Sequence, residues 1–318
     1  MHTEKITRLE EKSNPAPMAS GVMGNPPFAQ ERGYLPALLI VLACFAIPLW
    51  RLVMFALHDD LYSYVLLLPF VSWYLVRTKP PQALAASKPL RPLGVILILA
   101  GAAVGVGYLM KGAGFTTAYA EDYLFVNILA FYLCFLGVNF LFLGRATLRA
   151  LAFPVGMLAF MIPMSLAMRT SLETFLQYGS AYCADGMFRL AGTTFFREGL
   201  LFHLPRINIL VAPECSGIHA SWILLITSLL AGYLFLDTMW RRTLLAVLVL
   251  PLALVRNGFR VFTLGELSIH ISPAVMDSPI HHQGGPLFFG IFIVPFFLLL
   301  IWLRRSERPR AKTETQKN

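Results

Sequence analysis

Apolar residues dominate positions 34–303 in runs that approach the ~20 residues needed to cross a bilayer as a helix. Short polar or charged connections separate the runs, and together they predict an all-α polytopic membrane protein with about eight transmembrane helices. We find no internal repeat and no matching pair of broken helices of the kind that transporters carry. The predicted spans are 34–57, 61–76, 93–110, 123–143, 147–168, 218–236, 243–264 and 286–303.

One long segment, residues 169–217, carries too many charges for a membrane span. Between residues 171 and 190, the apolar positions are spaced as in an amphipathic helix that lies at the membrane surface. Residues 193–212 alternate more loosely and predict a short hairpin before the sixth span. We therefore expect this segment on the extracytoplasmic face. It is either a plain connector or, as its length favours, part of a functional site.

The basic residues set the predicted orientation. Most of the 26 Lys and Arg residues fall in the tails and in the loops that lie inside when the N-terminus is inside, as the positive-inside rule requires. Residues 1–33 are then a flexible cytoplasmic tail, residues 34–303 the transmembrane domain and residues 304–318 a basic cytoplasmic tail. The expected location is the inner (cytoplasmic) membrane, with both termini cytoplasmic.

Composition supports this interpretation and excludes other classes. Hydrophobic residues make up 57% of the chain and charged residues 14%, whereas about a quarter of a soluble domain is charged. Four cysteines in 318 residues exclude a secreted disulfide scaffold. The net charge of +9 does not indicate nucleic acid, because the basic residues form no stripe interleaved with aromatic residues. The chain is therefore predicted to be embedded in the lipid bilayer.

Three polar groups interrupt the apolar pattern, and each falls at the predicted extracytoplasmic end of a span. The first opens the sixth span, the second lies late in the seventh, and the third precedes the eighth. Ionisable residues at membrane depth are costly and are usually functional. In chain order the groups are Val-Ala-Pro-Glu-Cys215-Ser216-Gly217-Ile-His219, Arg256-Asn257-Gly-Phe-Arg260 and His281-His282-Gln-Gly-Gly285.

Cys215 is the candidate nucleophile. It follows Pro213 and precedes a predicted helix by a few residues, so its sulfur is expected near a helix N-terminus, where the dipole and free N–H groups stabilise a thiolate. Ser216 is a candidate cap, and Gly217 keeps the turn slim. Two alternatives remain: Cys215 is a small buried hydrophobe, or it forms a disulfide with Cys183 that removes the nucleophile.

Arg260 is the candidate cation. A guanidinium inside a span costs about 2.5–3.5 kcal/mol on insertion scales unless it snorkels or faces a wet cavity. Its donors suit a substrate carboxylate or a developing oxyanion. Asn257 lies three residues earlier, on the same helix face. Arg256 lies on the same broad side and is the candidate for a snorkelling arginine, although Arg260 itself is open to that interpretation.

Histidine supplies the acid–base group that a cysteine mechanism needs. His281 and His282 adjoin two glycines, which let the backbone or a substrate approach closely. His219 is a rival, since it lies four residues after Cys215 on the same helix face. His281 and His282 do not indicate a metal site, because the side chains of adjacent residues diverge on a helix and no His-Glu-x-x-His motif accompanies them. No metal and no cofactor are predicted.

In these groups the sequence resembles the exosortase/archaeosortase family of membrane cysteine transpeptidases, over residues from about 60 to 303. The resemblance implies Cys215 as nucleophile, Arg260 as the essential cation and His281, rather than His282, as the histidine. The matching patterns are Ala-x-x-Cys-Ser-Gly-Ile around Cys215, Asn-x-x-Arg at Asn257 and Arg260, and His-x-x-x-Gly-x-x-Phe-Phe at His281, Gly285, Phe288 and Phe289.

The resemblance implies a function as well. The expected substrates are exported, membrane-anchored precursor proteins with a C-terminal sorting tail: a short motif that often contains Pro-Glu-Pro, a transmembrane helix and a basic cluster. The expected reaction is acyl transfer through a thioester to an unknown acceptor nucleophile. The alternatives are a polytopic transporter or lipid flippase that uses Arg260 and His281 as substrate or proton sites, and a scaffold subunit of an export complex.

Overall fold

The computed structural model describes residues 33–78, 88–110, 120–213, 216–272 and 285–307. Most of these residues are helical. The α-helices are α1 (Tyr34–Cys44), α2 (Ala46–His58), α3 (Leu68–Arg77), α4 (Arg91–Met110), α5 (Ala120–Phe142), α6 (Arg145–Met157), α7 (Leu166–Ala191), α8 (Ile218–Phe235), α9 (Met239–His270) and α10 (Gly285–Glu307). The described ranges also contain 3-10 helices at Asp60–Leu66 and Leu158–Met161, and strands β1 (Phe196–Glu198), β2 (Leu201–His203) and β3 (Asn208–Leu210).

Five of the described helices are long and apolar enough to cross a membrane: α4, α5, α8, α9 and, over Leu287–Glu307, α10. Two bent pairs pass the same test together, α1 with α2 at 64° and Arg145–Met161 with α7 at 94°. A helical membrane protein with five to seven candidate spans among the described residues is therefore confirmed. The predicted count of about eight is not. The segment at 61–76, for example, is a 3-10 helix followed by the short helix α3.

Proline accounts for the sharpest bend. Pro163 stands between the 3-10 helix Leu158–Met161 and α7, and the residue before a proline disfavours helical geometry. Ile162 accordingly has an extended backbone with ψ of 113°. After the bend, Ser165 caps α7, because its hydroxyl accepts a hydrogen bond from Met168 N at 3.4 Å. The chain therefore enters α7 in a new direction.

The segment between α7 and α8 contains an antiparallel sheet with strand order β1-β2-β3. The predicted hairpin is thus present, and a third strand extends it. Phe202 and Ile209 pack into a buried cluster with Phe188 of α7 and Val261 of α9. This packing ties the chain that leads into α8 to the two helices beside it.

Helices α7 and α9 are in close backbone contact. A Cβ atom added at Gly258 of α9 would lie 2.5 Å from Cys183 Cβ and 3.0 Å from Ala184 N, so only glycine permits this approach. Next to this contact, Asn257 Nδ2 donates to Ser180 Oγ at 3.0 Å. Cys183 is a free cysteine among the described residues, and the alternative that pairs it with Cys215 stays untested because Cys215 lies outside them. The contact fixes the face of α9 that carries the second polar group.

Candidate active site

A cavity of about 520 Å³ lies where α7, α8, α9 and α10 meet the 3-10 helix Asp60–Leu66. Its wall combines charged, polar and aromatic side chains, as binding sites usually do. The residues that line it are Leu61, Arg169, Glu173, Pro213, Gly217, Ile218, His219, Ala220, Ile223, Arg256, Asn257, Arg260, Gly285, Phe288 and Phe289.

All three polar groups of the sequence contribute to this lining. Gly217 and His219 come from the first group and Asn257 and Arg260 from the second, while the third is represented by Gly285. Phe288 and Phe289, which belong to the same pattern as Gly285, also line the cavity. The fold therefore brings together residues that are far apart in the chain.

Three of the predicted site residues lie outside the described residues: Cys215, His281 and His282. The chain is described up to Pro213 and again from Ser216, and Pro213 and Gly217, each two residues from Cys215, line the cavity. The catalytic roles of Cys215, Arg260 and His281 stay predictions.

The turn that leads into α8 depends on Gly217. Its φ of 71° lies in the left-handed region, which strains any residue with a Cβ atom. A Cβ atom there would also lie 2.7 Å from Arg256 Nη2 and 2.9 Å from Asn257 Oδ1. Glycine is therefore required both for the backbone conformation and for the close approach of α9. The left-handed φ and the close approach of α9 are the physical reasons for the compact turn predicted at Gly217.

Ser216 holds the same turn from inside the protein. Its side chain is 1% exposed. Its N–H donates to Pro213 O at 3.0 Å, and its hydroxyl accepts from Ile218 N at 3.4 Å. The second bond satisfies one of the free N–H groups at the start of α8, but the N-cap position of the helix is Gly217 and not the predicted Ser216.

Arg256 and Asn257 support the turn from α9. Arg256 is 5% exposed and Asn257 is 2% exposed. Arg256 Nη2 donates to Gly217 O at 3.2 Å. Arg256 was the candidate for a snorkelling arginine, but the structure buries it: the backbone carbonyl of Gly217 provides an acceptor for this guanidinium inside the protein.

Arg260 and His219 contribute polar groups to the cavity wall. Arg260 is half-buried and lies one helical turn after Arg256. His219 is also half-buried, in the first turn of α8, and its Nε2 is enclosed without a hydrogen-bond partner among the residues that the structure describes. An imidazole in this position has an unused nitrogen beside the cavity.

Aromatic residues of α10 close another side. Phe288 is 4% exposed, and its ring packs edge-on against Phe259 of α9, with centroids 6.2 Å apart and an interplanar angle of 74°. The contact holds the start of α10 against the helix that carries Arg260. Phe289 lines the cavity beside it, so an apolar surface adjoins the cationic one.

Residues 50–298 match the family model described as Transmembrane exosortase (Exosortase_EpsH). The chain belongs to the transmembrane exosortase family. Neither a curated protein nor a solved structure matches it. Membership supports a membrane-embedded, protein-processing transpeptidase in general terms, and it does not favour the transporter or flippase alternative.

An ionic cluster in this exosortase was not predicted from the sequence. Arg169 of α7 donates from Nε to Glu173 Oε1 at 3.0 Å and from Nη1 to Glu121 Oε1. Its Nη1 also lies 3.9 Å from Asp59 Oδ2. Arg169 and Glu173 line the cavity. Their four-residue spacing on one helix was the available signal, whereas the other two carboxylates come from distant parts of the chain.

The charged residues that line the cavity lie on two helices. The α9 side presents Arg256 and Arg260, and the α7 side presents Arg169 with Glu173. Within the described ranges, no group of three or more His, Cys, Asp and Glu residues is placed to hold a metal ion. Guanidinium donors in a partly enclosed cavity suit a reaction in which negative charge develops on a substrate oxygen.

Proposed function

We propose that the chain is a sortase-like membrane cysteine transpeptidase/endopeptidase. It cleaves the C-terminal sorting signal of exported proteins at the extracytoplasmic membrane face and transfers them to an acceptor through a thioester intermediate. The observation that carries this proposal is that residues from all three sequence groups, Gly217 and His219, Asn257 and Arg260, and Gly285, line one cavity of about 520 Å³. Family membership supports the same class of reaction.

The reaction has two acyl-transfer steps. The Cys215 thiolate attacks the carbonyl carbon of the scissile peptide bond, so a C–S bond forms and the carbonyl electron pair moves to oxygen. Arg260 stabilises that oxyanion. When the intermediate collapses, the C–N bond breaks and His281 gives a proton to the leaving amine. The acceptor nucleophile then attacks the thioester and releases the Cys215 thiolate.

The surroundings of the described residues support these assignments. Pro213 and Gly217, each two residues from Cys215, both line the cavity. Gly285, four residues after His281, lines it as well. Arg260 is the described member of the proposed set, and it reaches the cavity from α9.

The membrane contributes by restricting the substrate. A tail that is anchored in the bilayer presents its scissile bond at a fixed depth, and holding two reactants in a productive geometry is worth as much as ~7–11 kcal/mol. The proposed topology has both termini in the cytoplasm and the cavity on the extracytoplasmic side of the inner membrane. Sorting tails of exported precursors and the lipid bilayer are the partners that this topology brings together.

The test uses a secreted reporter protein that ends in a sorting tail: a Pro-Glu-Pro motif, an apolar helix and a basic cluster. Cells that express the full chain are compared with cells that express Cys215→Ala, Arg260→Gln or His281→Ala. The matched control is Cys44→Ala, because Cys44 is exposed on α1, away from the cavity. We expect the control to shorten the reporter and the three variants not to. Shortening by Cys215→Ala would show that the proposed mechanism is wrong.

A further inference from the structure

Arg256 is buried to an unusual degree for a charged residue. It is 5% exposed, and among the residues that the structure describes no other Asp, Glu, Lys or Arg is as deeply buried. A guanidinium at such a depth normally has a carboxylate or a full set of acceptors. Arg256 is therefore expected to have either a carboxylate or several hydrogen-bond acceptors around it.

Among the described residues, part of the guanidinium has no hydrogen-bond partner. Nη2 donates to Gly217 O, but Nη1 is enclosed without a hydrogen-bond partner among the described residues. No described carboxylate forms an ion pair with Arg256. Arg260, one turn further along α9, carries the same charge. Leaving a buried donor unpaired costs free energy, so its retention on the wall of a cavity indicates a partner that arrives with the substrate.

The position of the guanidinium restricts which group of the substrate can accept a hydrogen bond from Nη1. Nη2 lies 2.7 Å from where a Cβ atom of Gly217 would stand, so the group packs against the turn that continues to Cys215 two residues earlier. In the proposed reaction the oxyanion is bonded to the carbon that Cys215 attacks. It therefore develops close to this turn, whereas more distant substrate groups extend away from it.

We propose that Arg256 is a catalytic residue that donates a hydrogen bond from Nη1 to the oxyanion, as a second donor beside Arg260. The inference rests on the proposed function and deepens it. In the attack step the C–S bond forms, the carbonyl electron pair moves to oxygen, and the Nη1–H donates to that oxygen. On collapse the C=O bond re-forms, the C–N bond breaks, and His281 supplies the proton of the leaving amine.

The bond to Gly217 makes the donor effective. A donor that is held in place before the reaction needs no reorganisation when charge develops, and this is the main source of oxyanion stabilisation in enzymes. Arg256 is held by a backbone carbonyl of the nucleophile's own turn. The guanidinium is thus held against the turn at Gly217 before any substrate arrives.

The experiment measures steady-state kinetics of the full-length protein in lipid nanodiscs, with the sorting-tail reporter as substrate. The variants are Arg256→Gln and Arg256→Lys, and the matched control is Arg189→Gln, because Arg189 is exposed on α7 and pairs with Asp185. We expect Arg256→Gln to lower kcat by about 10²–10³, the usual effect of removing one oxyanion donor, with KM little changed. Arg256→Lys keeps a donor and should recover part of kcat.

A second measurement separates this role from a structural one. The rate at which a maleimide alkylates Cys215, followed by mass spectrometry of the peptide that contains it, should be the same in Arg256→Gln as in the unchanged protein. A parallel fall in alkylation and kcat would overturn the proposal, because Arg256 would then act through the turn. A rise in KM with kcat retained would also overturn it, since Arg256 would then hold the substrate before reaction. Normal kinetics would exclude any role.

The two proposals fail in different ways. If Cys215→Ala still processes the reporter, the proposed function is wrong whatever Arg256→Gln does. If Cys215→Ala is inactive but Arg256→Gln is as active as the Arg189→Gln control, the proposed function stands and only the second oxyanion donor is excluded.

Discussion

Asn257 Nδ2 of α9 donates to Ser180 Oγ of α7 at 3.0 Å, and both side chains are almost completely buried. The same amide group has its Oδ1 2.9 Å from where a Cβ atom of Gly217 would lie. One side chain therefore joins α7, α9 and the turn before α8. The shape of the cavity depends on this junction, because each of the three elements contributes to its wall.

Ser180→Ala tests the junction. The substitution removes the acceptor of a buried amide, and we expect it to lower the free energy of unfolding by about 1–3 kcal/mol. The matched control is Ser228→Ala. Ser228 is equally buried, but its hydroxyl donates to Leu225 O of its own helix, so no side chain of another helix loses a partner. Thermal unfolding in detergent measures both. Equal stability of the two variants would contradict the role given to Asn257.

Gly217→Ala tests the turn. The left-handed φ costs a residue with a Cβ atom about 1–2 kcal/mol, and the new methyl group would collide with Arg256 Nη2. We expect processing of the sorting-tail reporter to be lost while the protein still inserts in the membrane. Gly290→Ala in α10 is the matched control, because its Cβ atom would meet nothing within 4 Å. A Gly217→Ala variant as active as this control would show that the turn is not part of the site.

Arg169→Met tests the ionic cluster. Removing the guanidinium leaves Glu121, Glu173 and Asp59 without the cation between them. Since the cluster is partly exposed, we expect destabilisation on the order of 2 kcal/mol, between the values for exposed and buried ion pairs. Arg189→Met removes an exposed guanidinium from the same helix, whose ion-pair partner among the described residues is Asp185, and it should change stability little. If both variants unfold at the same temperature, the cluster does not hold the cavity wall.

The apolar runs predicted the long apolar helices well. Helices α4, α5, α8 and α10 begin and end within four residues of predicted spans, and α9 extends the span 243–264 at both ends, because a continuous apolar run in a bilayer favours a helix. The bent segments were harder to predict. Pro163 and Ile162 break the helix locally, but the resulting angle of 94° depends on packing against other helices. The hydropathy pattern alone therefore does not predict that angle.

The site was predictable where its residues are close in the chain. The spacing of Asn257 and Arg260 indicated one helix face, and both line the cavity. The partners of Arg169 were not predictable, because Glu121 and Asp59 approach it only through the tertiary fold. For Arg256 the sequence suggested snorkelling, whereas the structure buries the side chain. Its acceptor, the carbonyl of Gly217, lies in the turn before another helix, and only the tertiary fold brings the two together.

The central claim is that Cys215 carries the substrate as a thioester, and trapping that thioester tests it most directly. The full-length protein in nanodiscs is mixed with the sorting-tail reporter, quenched in acid and analysed by intact-mass and peptide mass spectrometry. We expect the upstream part of the reporter on Cys215, release of this adduct by hydroxylamine as a hydroxamate, and no adduct in Cys215→Ala. Cleavage of the reporter with no adduct on Cys215, together with full activity of Cys215→Ala, would contradict the account.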